Sequence, residues 1–457
     1  VLVQLIEILE DEMYENSTKA LMGFLEKSPT PFHVVANMRA ILEEQGFEEL
    51  SEGSSWNLKN NGKYFVVRNE SSVLAFRLPK NDFKGFQIAS AHTDSPCFKI
   101  KGDRPELEEG ELYVKLNVEG YGGMLMAPWF DRPLSVAGRV VVREECDENG
   151  GQVRLRTKLV NIDRDLLMIP NLAIHMNRKA NDGIAFNVQN DMLPLFSQTG
   201  SKGEFMELVA DSAGVCKDNI VGSDLFLYSR TKPTFWGAKN EFFSAPHIDD
   251  LQCVYSALQA LLAAESKDSV PMLAAFDNEE VGSETKQGAG STFLSDTISR
   301  IGEAFGKSVS EIAKLVASSM MVSADNAHAV HPNASSKADP INRPEMNKGI
   351  VIKHSANQKY TTDAVSAAMF KQICKRAEVP YQEFANRSDM AGGSTLGNIS
   401  SAQVSLNTVD IGLAQLAMHS PYETAGSEDT DYLIKALKCF YETSVVFEGA
   451  GSYSLSF

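Results

Sequence analysis

The chain has 457 residues, 43% hydrophobic and 23% charged, with a formal net charge of −17. That length exceeds one ordinary core and suggests two or three domains, or one large domain carrying an insertion, while the composition excludes a disordered chain. The acidic balance argues against nucleic acid or an anionic membrane surface, since both need clustered Lys and Arg, and no apolar run approaches the ~20 residues of a membrane span.

Val1 to Glu15 mixes apolar residues with acids and lacks a basic patch, and it reads as an amphipathic helix rather than a signal peptide. A cytoplasmic protein is the expectation. Helical periodicity follows at Lys19–Leu25 and Phe32–Gln45, broken by Pro29-Thr30-Pro31. Short β-like runs come next at Tyr64–Val67, Val73–Arg77 and Phe86–Ser90. From about 101 to 238 the texture becomes alternating and turn-rich, as in Leu112–Val118, Leu134–Val142 and Val153–Leu159. Beyond Glu241, strand-like runs at Met272–Phe276, around Val322, at Ile350–Ile352 and at Val409–Ile411 alternate with helical stretches. Those helices are expected on the face marked by Leu251, Val254, Leu258, Leu261 and Leu262, and at Ala364–Arg376 and Tyr432–Val446. The simplest reading is an α/β fold: residues 1–100 and 239–457 form one helix-covered sheet domain, with a β-rich domain inserted at 101–238.

Six cysteines (Cys97, Cys146, Cys216, Cys253, Cys374, Cys439) are scattered without a CxxC pair, so free thiols are expected and any metal must be held by His, Asp and Glu. In open α/β sheets catalytic groups gather after the carboxyl ends of strands. His92 and Asp94 follow one apolar run, Glu279 and Glu280 another, and Asp325 a third. His419 lies on the loop after Val409-Asp410-Ile411, and Asp249 closes a loop that opens a helix. Two divalent ions need a bridging carboxylate and terminal ligands on each. Asp249 can bridge, with His92 and Asp325 on one ion and Glu280 and His419 on the other. Zinc suits such ligands, though cobalt or manganese would also fit. Asp94 is placed to take the other N–H of His92, and Glu279, diverging from Glu280 on an extended loop, is free to act as base on a bridging water.

Each signal has an ordinary alternative. A lone His after a strand is usually structural, paired glutamates usually mark a solvated face, and Asp249-Asp250 could simply cap a helix. Among the other histidines, His33 reads as structural and His354 as peripheral. His247 could support Asp249, and His328 and His331 could support Asp325 or line a pocket.

The segments Ser90–Pro96, Ala127–Arg132, Ile169–His175, Phe276–Ser283, Ser323–Asp325, His328–Pro332, Gly392–Thr395 and Leu416–Ser420 together resemble the aspartyl aminopeptidases and the related vacuolar and bacterial aminopeptidases. The matches run in family order from about Ala20 to Phe447. The resemblance implies a zinc-peptidase-like mixed β-sheet carrying an inserted dimerisation domain. It also implies two divalent metal ions per subunit, held by His92, Asp249 and Asp325 and by Asp249, Glu280 and His419. It assigns Glu279 as general base and Asp94 as the residue orienting His92. His175 is expected to reach a neighbouring subunit's active site, Lys353 to meet an acidic substrate side chain, and Tyr360 to donate to the reacting carbonyl. Peptides are the implied substrates, and dimers assembling into a tetrahedral dodecamer the implied homo-oligomer. Asp250, Asn326 and Pro421-Tyr422 depart from common family residues and leave the side-chain preference open. The alternatives are a family member preferring neutral N-terminal residues, a different two-metal deacylase, and a non-catalytic assembly relative.

Overall fold

The computed structural model describes residues 2–144, 152–265 and 267–457, with side chains from Tyr14 onward. A nine-stranded sheet forms its centre, in the order 48–50, 63–68, 72–77, 270–276, 86–92, 320–324, 407–412, 350–354, 381–385. Strands 270–276, 86–92, 320–324 and 407–412 run parallel, and antiparallel neighbours flank them, so the sheet is mixed. Every residue of Val270–Phe276 and of Phe86–His92 is buried, as expected of strands covered on both faces. Alternation then divides one strand between two cores. Leu273 and Ala275 pack with the helices Pro31–Glu44, Ile248–Ala263 and Asp429–Glu442, while Met272, Ala274 and Phe276 pack with Phe293–Ala304.

Two sequence expectations change. The C-terminal helix stops at Glu442, and Ser444–Gly449 forms a hairpin strand with Ser452–Ser456, because Val445 and Val446 are β-branched and pack better on a pleated surface. The middle of the chain carries a helix, Glu204–Ala213, among its strands, with Phe205 and Val209 in the local core. The expected leading helix is continuous from Leu2 to Glu26.

The middle segment builds an antiparallel five-stranded sheet in the order 154–161, 134–144, 220–229, 97–100, 118–121, with a three-stranded sheet beside it. Phe98, Trp129, Val136 and Phe205 are fully or almost fully buried in a core of their own. The strand at Thr234–Trp236 already pairs elsewhere, with Phe242–Ala245. That second small sheet continues through 423–426 and 414–416 to 327–328 and lies against the ends of the main strands. Among the described residues no helix is long and apolar enough to cross a membrane. The described cysteines are free thiols, and Cys146 lies outside the described residues.

Gly349 introduces the strand Ile350–His354 in a left-handed conformation, φ +79°, and a β-carbon there would meet the Pro380 carbonyl oxygen at 2.0 Å. Gly349→Ala is therefore expected to destabilise the chain by about 1–3 kcal/mol, read as a lower denaturant midpoint with an unchanged slope.

Candidate metal centre and active site

The carboxyl ends of the parallel strands bring most of the expected residues to one place. Phe276 and His92 are register partners on adjacent strands, so the turn after Phe276 and the loop after His92 start side by side. Asp325 follows the next strand and donates its backbone N–H to the Ile411 carbonyl at 3.0 Å.

Asp249 and His419 arrive by another route. Ala245 is the register partner of Glu423 in the small second sheet, so Asp249, just after one strand, meets His419, just before the other. His419 thus sits in the turn between Ala414–Leu416 and Glu423–Gly426, not on a loop leaving Val409–Ile411 directly. Asp249 and Asp250 are joined by a cis peptide and are not helical, so the regular helix begins after them.

The resulting cluster has the spacing of a metal site. His92 Nε2 lies 3.5 Å from Asp249 Oδ1, and His419 Nε2 lies 3.4 Å from both Asp249 Oδ2 and Glu280 Oε1. Donors bound to zinc at ~2.0–2.1 Å in tetrahedral geometry stand about 3.3–3.4 Å apart. Three sets of potential ligand atoms converge within 4.8 Å: His92/Asp249/Asp325, Asp249/Glu280/His419, and His92/Glu279/Glu280. Asp249 Oδ1 and Glu280 Oε1 are buried and lack a hydrogen-bond partner, an arrangement that a cation would repair.

The ring tautomers agree with that reading. His92 Nδ1–H donates to the Asp94 carbonyl at 3.0 Å, and His419 Nδ1–H donates to the Gly123 carbonyl. Both Nε2 lone pairs then face the cluster. The carboxylate of Asp94 is 3.5 Å from His92 Nδ1, so its backbone oxygen, not its side chain, is the nearer acceptor. The side chain does something else. It accepts the backbone N–H groups of Glu279 (3.0 Å) and Glu280 (3.1 Å) and the Tyr121 hydroxyl (2.7 Å).

Glu279–Val281 is a 3-10 turn rather than an extended loop. With three residues per turn, consecutive side chains diverge by about 120°, which separates Glu279 from Glu280. Burial, with Asp325 and Asp94 nearby, lifts the Glu279 carboxyl to about 8, and burial beside Asp249 holds Glu280 well above its ordinary range. Asp249 is the exception: burial opposes its charge, but the His419 and His92 imidazoles beside it keep it below the usual carboxylate range. Burial disfavours the His419 imidazolium, yet Asp249 and Glu280 raise it to about 10. Each of these acids makes the ionisation of its neighbours harder.

Residues that the sequence reading left without a role complete the surroundings. Glu423, fully buried and lifted to about 8 chiefly by burial, accepts the backbone N–H groups of both Asp249 (2.9 Å) and His419 (2.8 Å). Asp250 accepts the backbone N–H of His92 at 3.1 Å. Asn278, in a left-handed conformation, donates to the Tyr121 oxygen at 2.8 Å and accepts from Thr285 and Gln287. Asn326 donates to Gln252 and Gln415, each at 2.9 Å. The partners of the Tyr121-Gly122-Gly123 segment lie too far along the chain to be inferred from local sequence.

Lys353 is buried; its ammonium donates to the Asn326 carbonyl at 2.8 Å and stands 3.6 Å from Asp325 Oδ1, which holds it charged although burial opposes this. Tyr360 is buried with its ring 5.5 Å from Lys353 Nζ and 6.1 Å from the Phe384 ring. Phe384 and His328 reach a cavity of about 300 Å³ that also borders Leu416–Met418, just before His419. His331, Lys337 and Arg387 line it with one carboxylate, Asp339. His175 is exposed, and none of the described contacts joins it to the cluster. His33 is structural, its Nδ1 paired with Thr30 Oγ1 at 2.8 Å, and His354 pairs with Glu383 away from the cluster. His247 is held neutral by burial, well below its ordinary range at about 4.

The sequence profile described as Aminopeptidase I zinc metalloprotease (M18) matches residues 24–441. A probable M18 family aminopeptidase 2 of Clostridium acetobutylicum is 47% identical over 431 residues, 93% of this chain and 98% of that relative. Ape4, in the cryo-EM structure of its complex with Nbr1, superposes with a TM-score of 0.88 at 36% identity, covering 94% of this chain and 86% of Ape4. The S. cerevisiae mApe1 dodecamer gives a TM-score of 0.82 at 28% identity, over 94% of this chain and 97% of that one.

Proposed function

This chain belongs to the M18 family of zinc metallo-aminopeptidases, and we propose that it removes acidic N-terminal residues from peptides at a two-metal centre bridged by Asp249. The carrying observation is that the two oxygens of Asp249 face different imidazoles, at 3.5 and 3.4 Å. His92 and Asp325 would complete one ion site, and Glu280 and His419 the other. Bound there, a zinc pair would polarise the scissile carbonyl and lower the pKa of a shared water. Glu279 takes a proton from that water as its oxygen bonds to the carbonyl carbon, then delivers the proton to the amine nitrogen as the C–N bond breaks. Asp94 fixes where Glu279 stands by holding its backbone N–H.

The lean toward acidic residues rests on charge. Lys353 beside Asp325, and the His331, Lys337 and Arg387 lining of the neighbouring cavity, favour a carboxylate side chain. Tyr360, next to Lys353, is the proposed donor to the reacting carbonyl. His175 is proposed to act on a neighbouring subunit's site, in an oligomer of the kind the mApe1 relative forms. Exposed Leu172, Ile174 and Met176 around it suit such a contact.

The test compares kcat/KM on substrates beginning with Asp, Glu, Leu and Ala, each with a free or acetylated amine. Acetylation is expected to abolish turnover, which excludes a deacylase. Lys353→Met is expected to lower kcat/KM for Asp and Glu by about 10- to 100-fold while moving Leu and Ala far less, a loss of ~1.4–2.7 kcal/mol. Equal losses on all four substrates would remove the acidic assignment and leave a peptidase for neutral residues.

A further inference from the structure

Resting on that two-metal reading, we infer that the Tyr121–Leu125 segment of the middle domain sets the affinity of the ion held by Asp249, Glu280 and His419. The two ion sites are supported differently. Around His92 and Asp325 the supporting groups belong to the main-sheet region: Asp250 takes the His92 backbone N–H, the Asp94 carbonyl takes its Nδ1–H, and Ile411 takes the Asp325 N–H. The other site borrows its support from across the domain boundary.

His419 is the clearest case. It is a non-glycine residue at φ +67°, a left-handed conformation that is unfavourable for a residue with a side chain and persists where several neighbours over-determine it. Its N–H is fixed by Glu423, but its other two handles are held by the middle domain. The Gly123 carbonyl accepts its Nδ1–H, and the Leu125 N–H donates to its carbonyl at 3.1 Å.

Glu280 is held by the same segment. Gly122 lies against it at φ +74°, where a β-carbon would stand 3.0 Å from Glu280 Cβ and 3.4 Å from Glu280 O. Tyr121 acts one step further out. Its hydroxyl donates to Asp94 Oδ2 at 2.7 Å and accepts from Asn278 at 2.8 Å, and Asp94 in turn holds the Glu280 N–H. Thus one five-residue turn touches both terminal ligands of this ion, Glu280 by packing and His419 by two hydrogen bonds. These are positioning residues.

The experiment strips the purified full chain of metal and titrates zinc against a chromogenic chelator. Wild type is expected to show two binding steps per chain, and His419→Ala identifies the step belonging to this ion. Gly122→Ala is expected to weaken that step by 10- to 100-fold, the usual cost of disturbing groups that orient ligands, and to leave the other step unchanged. Turnover should fall at limiting zinc and recover as zinc is raised, which a generally damaged fold would not do. Tyr121→Phe, which removes one hydroxyl and no packing, should act in the same direction and covers the case in which Gly122→Ala does not fold. If wild type binds two ions and either folded variant keeps both affinities, or loses both equally, the inference is overturned. If wild type binds only one ion, the two-metal reading fails and this inference goes with it.

Discussion

Glu279→Gln is expected to bind its metal normally and to lose turnover by about 10²–10⁴-fold, the usual contribution of a positioned general base. The amide keeps the shape of the side chain and leaves the Asp94 hydrogen bond to the backbone intact, so the turn should not move. What disappears is the ability to accept a proton. Because the change strikes only the chemical step, kcat should fall with little movement in KM. Zinc content by elemental analysis beside steady-state kinetics makes the check. Near-normal turnover with two bound ions would assign the base elsewhere, and loss of zinc would make Glu279 a ligand, as its convergence with His92 and Glu280 allows.

The second large effect is expected at Asp249. Its oxygens face His92 on one side and His419 on the other, and Asn can present only one oxygen. An amide nitrogen has no free lone pair for a metal, so Asp249→Asn is expected to remove the proposed bridge. Zinc content should fall below two per chain, and kcat by at least about 10³-fold, equivalent to ~4 kcal/mol of lost transition-state stabilisation. Asp325→Asn is the informative comparison, since Asp325 belongs to only one ligand set and should cost one ion. Asp249→Asn retaining two ions and wild-type kcat would end the bridging role.

The sequence showed some of this plainly and hid the rest. Strands 86–92, 270–276 and 320–324 are short, wholly buried and mostly apolar, and each delivers a chemical residue at or just past its end, so His92, Glu279, Glu280 and Asp325 could be picked out by position alone. Asp249 and His419 were nameable, but their meeting depends on Ala245 pairing with Glu423, a long-range register that no local periodicity records. The same reason concealed Glu423 as the acceptor for both backbones and Tyr121 as the partner of Asp94. The role given to the Asp94 side chain was inexact because backbone and side-chain oxygens of one residue compete for the same imidazole, and only coordinates separate 3.0 from 3.5 Å. The helix at Glu204–Ala213 went unread within β-like surroundings, although Gly203 and Gly214 bracket it in left-handed conformations that only a structure displays.

The pairing of Ala245 with Glu423 also imposes an order on biosynthesis. Asp249 and Glu423 are 174 residues apart, so a nascent chain holds His92 and Asp249 long before the turn bearing His419 exists. At 5–20 residues per second the interval is roughly 9–35 s. Asp325 emerges within it, so on the two-metal proposal all three residues of the His92/Asp249/Asp325 set would be synthesised well before His419, the last member of the other set.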